Sequence, residues 1–154
     1  MSTPSPIRMA AVLSAEHRRR LMALAREVNV REGALLFEEG ARAESFWIVR
    51  SGTVTLQLPL PGRRRPAPIE NLGPGELVGW SWLFPPYVCQ LTAEAMTLVR
   101  AYEFDAEAVR MQMDADPAFG SALGHWVGRV LAHRLQQTRI RLLDLYAPRV
   151  SATQ

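Results

Sequence analysis

The chain has 154 residues, 48% of them hydrophobic and 21% charged, which is enough for one substantial core and too little for a second independent domain. Formal net charge is +3 and every basic residue is arginine; the excess is scattered apart from Arg18-Arg19-Arg20 and Arg63-Arg64-Arg65, two runs read as solvated faces rather than as a polyanion-binding surface. The single cysteine excludes an internal disulfide and a cysteine-built zinc site, no apolar run reaches the roughly 18 residues of a membrane span, and the opening MSTPSPIRMA lacks a secretory apolar block, so a soluble cytoplasmic protein without a membrane partner is expected.

In chain order, residues 1–12 are expected to form a flexible arm. Ser14 can cap a helix running to about Glu27, with Leu21, Leu24 and Val28 at helical spacing and Glu16 in the first turn, where the helix dipole favours an acid. From about Val28 to Asp105 the texture changes: short apolar runs are cut by glycines at 33, 40, 52, 62, 73, 75 and 79, the spacing of many short strands. Phe46-Trp47-Ile48-Val49 and Thr53-Val54-Thr55-Leu56-Gln57-Leu58 flank Ser51-Gly52 and read as a hairpin, while the segment from Pro61 to Pro66 reads as a second, exposed turn. The fold class is α+β, mainly β: a β-roll or jelly-roll (a double-stranded β-helix) over about 28–105 within a single domain spanning 13–147.

Helical periodicity returns after Asp105, a candidate cap for a short helix over Ala106 to about Asp114. Pro117 suits the first turn of a longer helix reaching about Ala147, just before Pro148 and a tail over 148–154. Along it Leu131, Leu135, Thr138, Leu142 and Leu145 alternate spacings of four and three, the seam of a two-stranded coiled coil. About 45 Å of helix, at 1.5 Å per residue, is more than a small roll covers, so a second copy is the expected cover and the long helix the expected dimerisation element.

Catalytic chemistry finds little support. The three histidines, His17, His125 and His133, all fall outside the β region, which argues against a metal-bearing jelly-roll enzyme. Cys89 has no basic neighbour in sequence to lower its pKa, and neither a Ser-His-Asp set nor a Walker-type loop is present, so no enzyme and no metal are expected.

Three segments carry a resemblance: Gly33-Ala34-Leu35-Leu36-Phe37-Glu38-Glu39-Gly40, Phe46-Trp47-Ile48-Val49-Arg50-Ser51-Gly52-Thr53-Val54, and Leu72-Gly73-Pro74-Gly75-Glu76-Leu77-Val78-Gly79. In order and spacing they resemble the signature blocks of the cyclic-nucleotide-binding domain of the catabolite-activator/Fnr superfamily. The likeness covers about Leu13 to Ala147. It implies that Gly79 opens a phosphate-binding cassette whose helical turn is Trp80-Ser81-Trp82-Leu83, ended by Pro85-Pro86.

The family's cassette carries a glutamate directly after that glycine for the ribose hydroxyl and an arginine a few residues on for the cyclic phosphate. Here those positions are Trp80 and, aligned on Ala95, Cys89, and nothing from Tyr87 to Thr92 is basic. A phosphate without a fixed cation relies on neutral hydrogen bonds, about half as strong as charge-assisted ones. The pocket is therefore read either as filled by its own tryptophans or as rebuilt for a flatter, less charged ligand, with an ordinary cyclic-nucleotide pocket as a third reading. Candidate ligand contacts are Gly79, Trp80, Ser81, Trp82, Cys89 and Gln90. Arg134-Leu135-Gln136-Gln137-Thr138-Arg139 is similar to the superfamily's "R-L-Q-x-T-S" at the dimer seam, which adds Thr138 to the list, and Arg139 as a cation if the helix turns it inward. Together these features suggest a dimeric sensor module with an unidentified small ligand and protein partner; alternatives are a degenerate transcription regulator with residual cyclic-nucleotide binding, or a dimerising scaffold. The superfamily's helix-turn-helix domain is not expected here, nor is direct sequence-specific DNA binding.

Overall fold

The computed structural model describes residues 7–147. Helices α1 (Met9–Val12) and α2 (Ala15–Met22) lead into β1 (Ala25–Val30), β2 (Leu35–Phe37), β3 (Ser45–Ser51), β4 (Val54–Leu58), β5 (Ala67–Leu72) and β6 (Leu77–Val78). A single 3-10 turn over Ser81–Leu83 precedes β7 (Thr92–Ala95) and β8 (Val99–Asp105), and the described chain closes with α3 (Ala106–Ala115) and α4 (Pro117–Tyr146). The strands form two four-stranded sheets in the orders β1-β8-β3-β6 and β2-β7-β4-β5, every pairing antiparallel. This is the expected β-roll with a long C-terminal helix.

Side-chain alternation along β3 explains the layering. Trp47 and Val49 join Val54, Leu56, Leu72, Ala93, Ala95, Val99 and Ala101 between the two sheets. Phe46 and Ile48 point the other way and meet Phe104, Val109, Phe119, Leu123, Trp126, Val127 and Val130 beneath the helices. Successive strand residues face opposite sides, so a strand covered on both faces reads as an unbroken apolar run, which is what Phe46 to Val49 is.

Pairing along both edges of β3 corrects the expected hairpin at Ser51-Gly52. β3 already has β8 and β6 as neighbours, so β4 cannot lie beside it; instead the chain turns a corner and β4 enters the other sheet between β7 and β5. A register shift between Val49 and Ser51 begins the corner, as bulges do. Gly52 completes it at φ +94°, where an added Cβ would lie 2.4 Å from the Leu98 carbonyl oxygen. The exposed turn from Pro61 does join a true hairpin, β4 with β5.

Two further expectations change. The first main helix stops at Met22 rather than near Glu27, because Ala25 to Val30 pair residue by residue with Phe104 to Val99. Leu21, Leu24 and Val28 fit a helical period, but Val28 and Val30 also alternate, and six ladder pairs outweigh a helix end. The roll therefore begins at Ala25. The described part of the expected arm, residues 7–12, contains α1; Ile7, Met9 and Val12 pack on the helix-side core, and Arg8 Nη1 donates to the Pro74 carbonyl at 2.9 Å. Residues 1–6 and the expected tail over 148–154 lie outside the described residues.

The caps expected at Ser14 and Asp105 form, and Asp116 adds a third. Ser14 Oγ accepts from His17 N, Asp105 from Ala108 N, and Asp116 from Ala118 N and Phe119 N, with Pro117 in the first turn of α4. Asp116 also receives Arg20 Nη1 at 2.5 Å, and the Arg20 guanidinium lies 4.3 Å from the Phe119 ring centroid. The first arginine run is thus partly structural, since Arg18 also donates to the Ala10 and Leu13 carbonyls, whereas Arg63, Arg64 and Arg65 are exposed.

The corner at Gly52 yields a test. Gly52→Ala puts an L side chain in the left-handed region and against a backbone oxygen, and should cost on the order of 3 kcal/mol, read as a drop in denaturant midpoint with an unchanged slope. Gly62→Ala also changes a positive-φ glycine, in a turn with open space around the added Cβ, and should cost less.

Candidate functional site

Gly79 leaves β6 at φ +93° with Phe37 and Phe46 packed 3.5 to 3.6 Å from where a Cβ would stand. The chain then makes the single 3-10 turn of Ser81–Leu83 and ends it at Pro85-Pro86, as expected from the prolines. Trp82 turns inward and is fully buried. Its indole stacks on Phe46 at 4.2 Å between centroids, Phe46 stacks on Phe104 at 4.7 Å, and Nε1 donates to the Gly79 carbonyl at 3.2 Å. Trp80 is half-buried, edge-on to Phe84 at 6.2 Å, and packs against the helix-side core. From α3, Arg110 donates to the Trp82 carbonyl at 2.8 Å and lies 4.2 Å over the Tyr87 ring, which fixes the exit of the turn.

Six of the expected contact residues do come together. Gly79, Trp80, Ser81, Trp82, Cys89 and Gln90 line one indentation, of about 390 Å3 with its open mouth included, in which the centre of a water-sized sphere can move through only about 20 Å3. That space suits roughly one water molecule and no nucleotide. Cys89 is buried and burial pushes its thiol up, so it contributes a neutral, weakly polar group to the lining. Gln90 is exposed and donates to the Val88 carbonyl at 3.2 Å. Thr138 and Arg139 are not in the lining: Thr138 Oγ1 donates back to the Arg134 carbonyl at 2.9 Å, and Arg139 faces solvent.

Arg139 does not supply the expected cation; the charged residue at the indentation is Arg134, five residues earlier. It lines the indentation, with only 9% of its surface exposed. Nη2 donates to the Leu77 carbonyl of β6, Nε stands 3.7 Å from Glu70 Oε2 of β5, and Nη1 is buried without a hydrogen-bond partner. The other buried side-chain nitrogen without a partner among the described residues, Trp126 Nε1, does not line it. Burial pulls the Arg134 pKa down against Glu70 and Glu76, which hold it up, and the group stays charged. Burial likewise pushes the Glu70 carboxyl up, opposed chiefly by Arg134. A signal for Arg134 did exist: Leu123, Trp126, Val127 and Val130 form the inward stripe of α4, and position 134 continues it.

The coiled-coil stripe divides. Leu131 is half-buried against the domain's own core, whereas Leu135, Leu142 and Leu145 are 52%, 51% and 83% exposed, together with Ile140, Leu143 and Tyr146. The end of α4 therefore carries an apolar surface that this roll does not cover. Among the described residues no helix is long and apolar enough to cross a membrane, and no group of three or more His, Cys, Asp or Glu side chains is placed to hold a metal ion.

A two-sheeted roll with a glycine-led turn facing a long helix is the architecture of a cyclic-nucleotide-binding-type domain. The chain belongs to the family described as "Cyclic nucleotide-binding domain", whose profile matches residues 27–116. It is 34% identical over 122 residues, 77% of its length, to the CRP-like cAMP-activated global transcriptional regulator of Mycobacterium tuberculosis, and it spans about half, 50%, of that relative. Among solved structures, the N-terminal domain of a transcriptional regulator from Streptomyces coelicolor A3(2) is 28% identical with a TM-score of 0.65, over 87% of this chain and 90% of that one. The catabolite activator protein of Thermus thermophilus shares the fold at 22% identity and a TM-score of 0.71, over 90% and 62% of the two chains.

Glu70 gives the site a pH signature. A carboxyl whose folded pKa is raised binds its proton more tightly in the folded than in the unfolded chain, so its contribution to stability falls as pH rises from its ordinary value near 4.5 through the raised one. Thermal melts across that range should show Glu70→Gln gaining on the wild type as pH rises, and equal pH slopes would refute the assignment.

Proposed function

We propose that this chain is a dimeric regulatory module, not an enzyme, that senses a small ligand other than cyclic AMP or cyclic GMP bound in the family's usual way. The observation that carries this reading is the cassette: Trp80 and Cys89 stand where the resemblance calls for a glutamate and an arginine, and Trp82 fills the space beneath with its stack on Phe46. Ribose and cyclic phosphate would each lose a charge-assisted partner, and the indentation has room for little more than one water molecule. Calorimetric titration with both cyclic mononucleotides should give no binding at micromolar concentrations; a micromolar dissociation constant for either would overturn this. It would then favour the second reading, a transcription regulator with residual cyclic-nucleotide binding, which draws support from the likeness to the cAMP-activated regulator of M. tuberculosis.

Dimerisation rests on the exposed leucines of α4. Leu135, Leu142 and Leu145 keep the spacing of a coiled-coil seam through about three turns, and a closed two-fold dimer is the commonest cover for such a stripe. A ligand in the roll would then act by changing how the two helices meet. Sedimentation at tens of micromolar should find a dimer, and Leu135→Glu combined with Leu142→Glu should yield a monomer by bringing like carboxylates together in an apolar seam; a monomeric wild type would remove the dimer.

A further inference from the structure

We propose that the ligand of this module binds away from the cassette, in the polar cleft between the β2–β3 connection, β8 and α3, and that it is a small zwitterion, an amino acid or short peptide with a free amine and a free carboxylate. The inference rests on the reading of the chain as a ligand-sensing module and gives that ligand a place and a chemical class.

Size is the first observation. The centre of a water-sized sphere can move through about 650 Å3 of this cleft, against about 20 Å3 at the cassette. Small-molecule sites run at about 300–1,000 Å3. Several of the charged groups around it are already engaged by the fold. Glu103 of β8 is held by Arg26 through one oxygen and by Trp47 Nε1, at 3.0 Å, through the other. Arg110 of α3 donates to the Trp82 carbonyl with its guanidinium over the Tyr87 ring. The 42–45 segment is fastened through Ala43 N to the Tyr87 carbonyl at 2.7 Å and through the Glu44 carbonyl to Ala106 N at 3.0 Å.

Charge is the second observation, and it selects the ligand. Arg42, Glu44 and Glu107 line the cleft, are exposed, and form no ion pair among the described residues. A simple anion would enter against four carboxylates, Glu44, Glu103, Asp105 and Glu107, and a simple cation against three arginines. Like-charge juxtaposition costs several kcal/mol and rejects such partners. A wholly apolar ligand would strip water from these groups without replacing its hydrogen bonds. A molecule bearing both signs meets each with its complement, its carboxylate at Arg42 and its amine at Glu44 and Glu107. An adjoining hollow of about 290 Å3, walled by Leu36, Phe37 and Trp47, takes an apolar side chain. Occupancy would also be felt elsewhere, because Arg110 and Tyr87 fix the exit of the cassette turn and α3 packs on α4.

The dipeptide alanyl-leucine tests this beside two blocked forms, its N-acetyl derivative, which keeps only the carboxylate, and its amide, which keeps only the amine. Binding to the wild-type chain is followed at constant ionic strength by tryptophan fluorescence, since Trp47 walls the adjoining hollow, and by thermal melts. The dipeptide should give a saturable change and a higher melting temperature, and each blocked form should bind about 10- to 100-fold more weakly, the value of one hydrogen bond to a charged group. Arg42→Gln should reduce the dipeptide to the level of its amide, and Glu44→Gln with Glu107→Gln to that of its acetylated form. Arg129→Gln, exposed on α4, should change nothing. No saturable response to the dipeptide at tens of millimolar, an equal response to either blocked form, or unchanged binding in both cleft variants would overturn the site and leave the regulatory module standing. If a variant does not fold, the comparison of free and blocked dipeptides on the wild type decides alone. Tight binding of a cyclic mononucleotide would instead overturn the reading of the module and leave the cleft to be judged by the dipeptides.

Discussion

Much of this molecule depends on one aromatic sandwich. Phe46 of β3 lies between Trp82 of the cassette and Phe104 of β8, the ring planes within 13° and 7° of parallel. Each such pair contributes about 0.5–1.5 kcal/mol beyond its buried area, and burying an indole outright contributes about 4–6 kcal/mol as an upper estimate. Through this stack the cassette becomes part of the helix-side core. Its backbone turn is retained, but its inner face now belongs to the fold.

That arrangement moves the electrostatic centre of the domain. With no acidic or basic side chain on the turn itself, the charged group lining the indentation is Arg134 from α4, which is paired with Glu70 from β5. Burying such a pair is costly, and attraction at 3.7 Å compensates only in part. Both pKa directions agree with this, since burial works against the charged form of each partner. The interaction is therefore a poor device for stability alone, and its value lies in placement, since it fastens the long helix to two strands, β5 and β6, beside the cassette.

What was legible in the sequence divides along physical lines. Elements set by local chemistry were readable: Ser14 and Asp105 cap helices, Pro117 opens one, and the glycine spacing announced the strands. Elements set by tertiary pairing were not. Ala25 to Val30 carry both helical and alternating patterns, and only the partner strand β8 decides between them. Ser51-Gly52 reads as a hairpin turn because a sheet-to-sheet corner uses the same residues. The fate of the two tryptophans was left open for a related reason: indoles suit both a ligand wall and a core, and only the stack on Phe46 assigns Trp82 to the core while Trp80 stays at the mouth. Arg134 was missed because a charged residue beside a leucine seam is ordinarily a flanking solvent group, and the inward stripe that claims it lies on the other side of the helix.

The geometry of α4 brings these observations together. Its first half is held by the core through Phe119, Leu123, Trp126, Val127 and Val130, its last inward residue is Arg134, and beyond that point the helix makes almost no contact with its own domain. Arg134 is thus the boundary between a helix that belongs to the roll and a helix that offers apolar surface to something else. Leu135 follows it directly and opens the exposed stretch of the seam. In the proposed dimer, a change in what Arg134 bonds to would act on the last anchored turn, where a small tilt is carried by the helix into a larger displacement at Leu142 and Leu145. The cassette need not move for this to happen, which is consistent with a turn whose inner tryptophan has become core.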